Sequence, residues 1–279
     1  MKKISILLLL LTNFYSCSKE NSIDVDNTTK SSLLKKVIIR QGENLDNRVT
    51  IYSMEYDRNL KLKTLEVNQE DAISGTSYAK YTIELDDNNE ISRCVLDCSE
   101  SDCGWNFGIL PENYVEVVFE RNKNNNGTEQ LTISQNELDN NGKFIGWITG
   151  TTYLVNPNNL IIRKENTDIL YENENIKGIS NDFSFNDGLE YFDYDDKPSV
   201  VIYTDDIGVI NSQEYIYRLI LNLKYSVNNY TRMRFDYKSE DQYISFEYDE
   251  NNRPKSRKVV DKYNGTEQLK YEETYEYLD

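Results

Sequence analysis

An alternation of apolar and polar residues, interrupted by short Asp and Asn turns, constrains the fold of this chain more than any other feature. Residues 243–279 show it most clearly. Ile244, Phe246 and Tyr248 fall at every second position, the spacing at which side chains share one face of a strand. The Asp-Glu-Asn-Asn run at 249–252 follows, and these residue types tolerate the left-handed backbone of tight hairpins. This stretch is therefore predicted to be an antiparallel meander.

The same unit recurs through most of the chain. A second turn is predicted at Asn264-Gly265, and the acidic run 86–90 is predicted to join strands at 78–85 and 91–96. Further strands are predicted at 33–40, 48–56, 60–67, 115–120, 131–134, 144–148, 151–155, 160–163, 169–171, 183–185, 189–194 and 200–203. The predicted fold is all-β, an antiparallel meander of repeated hairpins that forms an extended curved sheet or an open barrel.

Two segments bear on how regular this pattern is. The hexapeptide NGTEQL occurs at 126–131 and again at 264–269, which indicates internal repetition, although turns reuse similar residues. Residues 212–224 carry a stripe of apolar residues at helical spacing after Ser212, but the same residues also alternate as in a strand. One short helix is predicted there, with a strand as the alternative.

The N-terminus has the features of a secretory signal at residues 1–16. Two lysines precede an apolar run at 4–11, and Ser16 stands directly before Cys17. The apolar run is too short to cross a bilayer as a helix. A cysteine after a small residue resembles the lipobox of bacterial lipoproteins, although Phe14 stands where that family prefers Leu. The resemblance implies cleavage before Cys17 and acylation of Cys17, with an ordinary signal peptide as the alternative.

The residues after Cys17 predict a cellular location and a flexible tether. Ser18-Lys19-Glu20 and the polar stretch behind it resemble the start of Bacteroidota lipoproteins. In that group an acidic motif at this place directs export to the outer face of the outer membrane, and the periplasmic face is the alternative. Residues 17–32 lack periodicity and are predicted to be a flexible tether, followed by a single β domain at 33–279.

Charge and composition exclude several classes of function. Without the signal, 29 basic residues face 48 acidic ones, a formal charge of −19. Such a polyanion is a poor partner for nucleic acid, because each phosphate contact begins with repulsion. The chain contains no histidine, which excludes Ser-His-Asp and Cys-His catalysis and histidine-based zinc sites. The sequence therefore predicts neither an enzyme nor a bound cofactor or metal.

The remaining cysteines predict a structural disulfide. Cys94, Cys98 and Cys103 lie close together, and a disulfide is expected in an oxidising envelope. Cys98 with Cys103 would close a short acidic loop, and Cys94 with Cys103 would close a wider one. A thiolate metal site would need a fourth ligand, and the spacing is not that of a Cys-x-x-Cys redox pair.

Other candidate sites have simpler explanations. The acidic runs 86–90, 139–142 and 193–196 offer oxygen ligands, but they lack the alternate-residue spacing of a calcium loop and are predicted to be solvated turns. Glycoside hydrolysis needs only two carboxylates, yet no pair is marked by its spacing. Trp105 and Trp147 could stack on sugar rings, and packing in the sheet is the alternative.

From about residue 191 onward the chain resembles Bacteroidota lipoproteins of unknown function with Tyr-rich, YD-like hairpin repeats. The resemblance depends on the phrases YDDKP at 194–198, SVNNYT at 226–231 and FEYDENNRP at 246–254. It implies an extended, porin-like antiparallel sheet and no known activity. A transmembrane barrel would need an outward apolar band, and the strands carry too many charges for that. We therefore expect a lipid-anchored binding or structural module, with a glycan-binding or carbohydrate-processing accessory as the alternative.

Overall fold

The computed structural model of the protein describes residues 33–42, 47–73, 75–97, 113–165, 167–181, 189–200, 212–235, 241–263 and 265–278. Within these ranges the chain forms one sheet of sixteen strands and one helix, α1 (Ser212–Leu221). The strands are β1 (Leu34–Gln41), β2 (Arg48–Tyr56), β3 (Leu62–Asp71), β4 (Gly75–Leu85), β5 (Ile91–Asp97), β6 (Tyr114–Lys123), β7 (Glu129–Leu138), β8 (Phe144–Val155), β9 (Ile161–Lys164), β10 (Thr167–Glu172), β11 (Asn175–Asn181), β12 (Leu189–Pro198), β13 (Asn228–Phe235), β14 (Asp241–Tyr248), β15 (Pro254–Tyr263) and β16 (Thr266–Tyr277).

The sheet is a closed barrel. Each strand pairs antiparallel with its neighbours in sequence, and β1 pairs with β16 from Leu34 opposite Tyr277 to Gln41 opposite Tyr271. The predicted all-β antiparallel meander is confirmed. The sheet closes instead of remaining open, and closure leaves neither β1 nor β16 with an unpaired edge.

Six hairpin turns in the described part of the chain share one design. The first residue is Asp or Asn and the third is always Asn, while the fourth adopts a positive φ between 58° and 81°. The backbone N–H of the first residue donates to the carbonyl of the fifth, and the N–H of the fourth donates to the carbonyl of the first. The first residues are Asp57, Asp86, Asn124, Asp139, Asn156 and Asp249. This is a type I turn closed by a left-handed residue, a common hairpin connection.

The two copies of the repeated hexapeptide differ in where the strand begins. Thr128 of the first copy lies inside the turn between β6 and β7, where its carbonyl accepts from Asn124. Thr266 of the second copy begins β16 and pairs with Tyr263. In both copies a glycine of positive φ, 81° at Gly127 and 83° at Gly265, leads into the return strand. Internal repetition of the sequence stays a prediction.

The two faces of the wall differ in polarity. The inward face is apolar and aromatic, and Val37, Tyr52 and Ala79 line it as cross-strand neighbours, all buried. The outward face carries cross-strand ion pairs such as that between Lys80 and Glu66, whose Nζ and Oε1 atoms are 3.1 Å apart. The barrel interior is therefore the hydrophobic core.

Helix α1 lies inside the barrel. Residues 214–221 are all buried. Tyr215 packs edge-on against Tyr52 of β2 with ring centroids 5.1 Å apart, and Tyr217 packs against Phe119 of β6 at 6.2 Å. Contact with separated parts of the wall, together with burial all round, places the helix in the lumen. The helix predicted for 212–224 is thus confirmed for residues 212–221. The barrel wall surrounds the helix, so its residues 214–221 are buried on every side.

The polar groups of α1 are paired within the core. Glu214 forms an ion pair with Lys164 of β9 and accepts a hydrogen bond of 2.9 Å from the Tyr225 hydroxyl. The Arg218 guanidinium lies 4.7 Å from the centre of the Tyr225 ring. These contacts fix the helix to the wall and compensate the charges that it carries into the interior.

A second buried ion pair joins β15 to β16. Arg257 and Glu273 are both 0 % exposed, with Nη1 and Oε1 2.6 Å apart. The Tyr275 hydroxyl also donates to Glu273. The carboxylate is thus satisfied from two sides, as a charge in a core must be.

Strands 144–148 and 151–155, predicted separately, form the single strand β8. Its pairing with β7 is interrupted by register shifts between Gln135 and Asn136 and between Glu137 and Leu138. Two irregularities in one strand disturb the alternation that the sequence pattern depends on. The strands predicted at 183–185 and, from residue 201 onward, at 200–203 lie outside the described residues.

Candidate functional site

One end of the barrel contains a cavity of about 410 Å³, which we call the rim pocket. It lies where β1 begins and β16 ends, beneath the turns that join β2 to β3 and β14 to β15. That volume is within the range of small-molecule sites in proteins. The lining residues are Leu33, Leu34, Met54, Tyr56, Leu60, Lys61, Leu62, Ile91, Pro198, Ser199, Val200, Leu219, Ile220, Leu221, Asn222, Lys224, Asn251, Asn252, Arg253, Pro254 and Tyr277.

Hydrogen bonds between strand ends hold the walls of the rim pocket. The Tyr56 hydroxyl donates to the carbonyl of Leu34 at 2.8 Å, and the Tyr277 hydroxyl donates to the carbonyl of Pro254 at 2.9 Å. Both tyrosines present their rings to the cavity while their hydroxyl groups are engaged. The pocket is therefore shaped by aromatic surfaces whose positions are fixed.

The C-terminal end of α1 forms the floor of the pocket. Leu219, Ile220 and Leu221 are buried there. The helix ends at Asn222, which has a φ of 51°, and the N–H of Leu223 donates to the carbonyl of Arg218 at 2.9 Å. A left-handed Asn at this position is a common way to end a helix, and it turns the chain toward the pocket.

Lys224 is the polar residue that this turn brings into the pocket. Its backbone N–H donates to the carbonyl of Asn159, and its own carbonyl accepts from Ile161, so the residue is fixed to the turn between β8 and β9. Its Nζ donates to the carbonyl of Ser199 at 2.6 Å. Burial lowers the pKa of the Lys224 amine from its ordinary value. Within the described residues, no carboxylate lies within ion-pair distance of this amine.

The lining has an unusual charge balance for this protein. The chain has 48 acidic and 31 basic residues, yet the lining residues that the structure describes include no acidic residue and three basic ones. Of these, Arg253 forms an ion pair with Asp249 at 2.6 Å and lies 4.4 Å over the Tyr277 ring. Lys61 stands exposed at the edge. The pocket is therefore a locally positive, largely apolar site in a strongly acidic protein.

The cysteines predicted as modified or bridged are described only in part. Cys94 is a free thiol at 0 % exposure on the inward face of β5, and burial raises its pKa well above the ordinary value. Cys17, Cys98 and Cys103 lie outside the described residues. Lipidation of Cys17 and the bridge between Cys98 and Cys103 stay predictions.

The acidic runs at 86–90 and 139–142 are structural turns. The Asp86 carboxylate accepts from the backbone N–H groups of Asn88 and Glu90, at 2.8 and 2.9 Å. The N–H of Glu90, assisted by that of Asn88, lowers the pKa of Asp86, and the N–H of Lys143 does the same for Asp139. In the described ranges no group of three carboxylates or thiols is arranged to hold a metal ion.

The third run, 193–196, was predicted to be a solvated turn, and this prediction is wrong, because the run lies within strand β12 and pairs with β13. The carboxylate of Asp195 accepts from the Tyr248 hydroxyl and from the N–H of Lys197. Burial raises the pKa of this carboxyl above its ordinary value, against those hydrogen bonds. Here too the acid fixes the local backbone and side chains.

Most of the aromatic residues in the described ranges are core residues, and few are available to a sugar. Trp147 is 66 % exposed, and Phe144 and Ile145 on the same strand are 56 % and 51 % exposed. Trp147 lies opposite Asn136, whose amide contacts Glu116 on the outward face, so the indole stands on the outside of the wall. Trp105 lies outside the described residues.

Sequence reasoning missed the rim pocket. Its lining comes from segments that are far apart in the sequence, including both ends of the domain and the end of α1. Only closure of the barrel brings these segments together. One local signal was present: Lys224 lies, with Asn222, among the otherwise apolar residues from Leu219 to Tyr225. A lysine within a buried apolar segment needs a partner or a cavity.

Comparisons with known proteins add little to this geometry. No protein-family model matches the chain, and no curated protein is detectably similar to it. A solved porin-like protein of Bacteroides uniformis is similar with a TM-score of 0.45 and 16 % identity, over 88 % of this chain and 96 % of that one. A porin-like protein of Bacteroides vulgatus gives 0.37 and 12 %, over 88 % and 98 %. Likeness at this level transfers neither a topology nor a function to the present chain.

Proposed function

We propose that the protein is a lipid-anchored lipoprotein of the cell envelope whose barrel is a non-catalytic binding module. The rim pocket is the observation that carries this proposal. It opens at the barrel end where β1 begins, so it lies at the point where the tether from Cys17 joins the domain. A binding site at that end would stay within tether length of the membrane to which the acylated cysteine holds the protein.

The polarity of the wall supports attachment by an anchor. A barrel that crosses a bilayer presents an apolar band outward and a polar interior. Here the outward face carries ion pairs such as Arg93 with Glu84, and the interior holds Tyr215 and its apolar neighbours. Within the described ranges no helix combines the length and apolar composition needed to cross a membrane.

The state of the buried acids favours binding over catalysis. Glu214 and Glu273 are the buried carboxylates of the described core, and each is neutralised by a cation, Lys164 and Arg257 respectively. A glycosidase needs two carboxyl groups facing a shared cleft, one of them free to give a proton. Among the described residues that line the rim pocket, none is acidic.

Changing Cys17 to Ala tests the anchor. We expect the wild-type chain to sediment with membranes and to enter the detergent phase on Triton X-114 partition, and the Cys17→Ala variant to do neither, because several acyl chains give stable attachment. Cys94→Ser, which removes a thiol buried in the core, is the matched control and should stay in the membrane fraction. A Cys17→Ala chain that still partitions with membranes would contradict the anchor.

Protease treatment of intact cells tests whether the domain lies on the cell surface. Surface display predicts loss of the domain without lysis, measured by immunoblot against a periplasmic marker that stays intact. Full protection in intact cells, with digestion after lysis, would place the domain on the periplasmic side.

A glycan-binding surface is the second candidate, favoured by the exposed Trp147 on β8. An indole outside the wall offers a flat apolar face of the kind that stacks on sugar rings. A glycan array with wild type, Trp147→Ala and the exposed control Ile73→Ala tests it. Signals that disappear only in Trp147→Ala would support this function, and no signal with wild type would remove it.

A further inference from the structure

We propose that the rim pocket binds a single acyl chain that carries an anionic head group, with Lys224 as the residue that recognises the anion. This inference rests on the proposed binding function and names the class of ligand. The ligand could be a free fatty acid or a lysophospholipid, which share an acyl chain and an acidic group.

The apolar part of the ligand is indicated by the floor and walls. Leu34, Met54 and Leu62 line one side, and Leu219 and Ile220 close the floor. These side chains offer a continuous hydrocarbon surface with no carboxylate among them. An acyl chain placed there would gain about fourfold in affinity for each methylene that it buries.

The anionic part is indicated by the amine of Lys224, which has no carboxylate partner among the described residues. Its one hydrogen-bond partner in the described structure is the neutral carbonyl of Ser199. A partly buried ammonium without a counter-ion is costly, whereas a carboxylate or phosphate beside it would offset that cost. Arg253 cannot take the same role as fully, because Asp249 already balances its charge.

The position of the pocket indicates where such a ligand would come from. The lining includes Leu33, the residue that follows the predicted tether 17–32 in the sequence. A lipid-anchored chain of sixteen residues spans at most about 3.3–3.6 Å per residue, so the mouth would lie within about 58 Å of the bilayer surface. Amphiphiles that leave a membrane one chain at a time are the ligands available at that distance.

Lys224 also has the rigidity expected of a recognition residue. Backbone hydrogen bonds to Asn159 and Ile161 hold it on both sides, and the Asn222 turn sets its direction. An amine fixed before the ligand arrives loses less entropy on binding than one on a mobile loop.

The test measures head-group preference in solution. The whole mature chain, residues 17–279 with Cys17→Ala, needs no detergent and is titrated below the critical micelle concentration. The probes are laurate, lauroyl-lysophosphatidylglycerol, dodecanol and dodecyltrimethylammonium, followed by calorimetry. We expect both anionic probes to bind at least about tenfold more tightly than dodecanol, and the cationic probe to bind weakest. Stronger binding of laurate than of the lysophospholipid would identify the fatty acid as the source, and the reverse would identify the phospholipid.

The Lys224→Gln variant assigns the preference to one residue. Gln keeps a donor for Ser199 but removes the charge, so the advantage of laurate over dodecanol should disappear while dodecanol still binds. The matched control, Lys255→Gln, removes an exposed lysine next to Pro254 and outside the lining, and it should keep the wild-type preference. Thermal unfolding of each variant shows that the barrel is intact.

Two results would overturn the inference. Equal binding of laurate, dodecanol and the cationic probe would remove the anion preference. An unchanged preference in Lys224→Gln would remove Lys224 as its cause. Neither result concerns the lipid anchor at Cys17, because membrane attachment is measured separately by fractionation. A wrong ligand class can therefore be distinguished from a wrong anchor.

Discussion

Two ion pairs on consecutive residues of one hairpin face opposite sides of the barrel wall. Arg257 and Glu273 point inward, are 0 % exposed and have Nη1 and Oε1 2.6 Å apart. Lys258 and Glu272 point outward, with side chains 45 % and 23 % exposed and Nζ and Oε1 3.7 Å apart. Residues that are adjacent along the strand thus lie in a water-free interior and on a hydrated surface. The contribution of each charged pair to stability therefore depends on which face of the strand it occupies, and the alternation of side chains along the strand sets that face.

The largest expected effect comes from removing one partner of each pair. Glu273→Ala leaves Arg257 buried without its counter-ion and should lower the free energy of unfolding by about 3–5 kcal/mol. Glu272→Ala on the outward face should cost about 1 kcal/mol or less. Urea unfolding followed by circular dichroism measures both. Similar losses for the two variants would mean that the wall does not separate two environments.

A second, smaller effect should separate two valines on β6. Val117 is 0 % exposed on the inward face, and its neighbour Val118 lies opposite Arg93 on the outward face. Val117→Ala should cost about 2 kcal/mol, because it removes buried methyl groups and leaves a cavity. Val118→Ala should cost about 0.5 kcal/mol. The same unfolding assay checks the difference, and a larger loss at Val118 would reverse the assigned faces of β6.

The smallest effect tests the turns, which belong to neither face. Asp86→Ala removes a carboxylate that caps two N–H groups, whereas exposed Asp87 makes no such bonds within the described chain. Asp86→Ala should lower Tm at pH 7 by less than Val117→Ala does, and Asp87→Ala should leave it nearly unchanged.

The pH dependence of that difference follows from the lowered pKa of Asp86. A group whose pKa is lower in the folded state contributes stability above its unfolded pKa, about 3.9 for Asp, and loses it as the pH falls through the folded value. The Tm difference between wild type and Asp86→Ala should therefore shrink below about pH 4. A difference that grew on acidification would contradict the capping role.

The sequence predicted the hairpins well, because strand alternation and turn chemistry are local. The strand predicted at 48–56 is β2 as observed, and the turn at 249–252 joins β14 to β15. The acidic runs 86–90 and 139–142 were rightly interpreted as turns, because Asp, Asn and a left-handed fourth position are defined within five residues. The run 193–196 was wrongly interpreted as a turn, since it lies within β12. Local patterns failed in β8, where irregular pairing joins two predicted strands into one.

What the sequence could not predict depends on distant contacts. Closure of the barrel needs Leu34 to meet Tyr277, and no local pattern specifies that pairing. Residues 212–224 satisfy both a helical and a strand pattern, and only the apolar lumen around Tyr215 and Tyr217 selects the helix. The rim pocket forms only once the barrel has closed and the helix has formed inside it. The sequence therefore shows Lys224 as an unusual residue but does not show that it lines a pocket.

Pairing of β1 with β16 also sets an order of events during biogenesis. The first strand of the domain cannot gain its second neighbour until the last residues have been synthesised, so the ring is completed only after the whole domain is available. Contacts of such long sequence separation form slowly. Until then Leu34–Gln41 presents an open edge that other strands could join, and an early membrane anchor would hold that edge beside the bilayer and away from other copies.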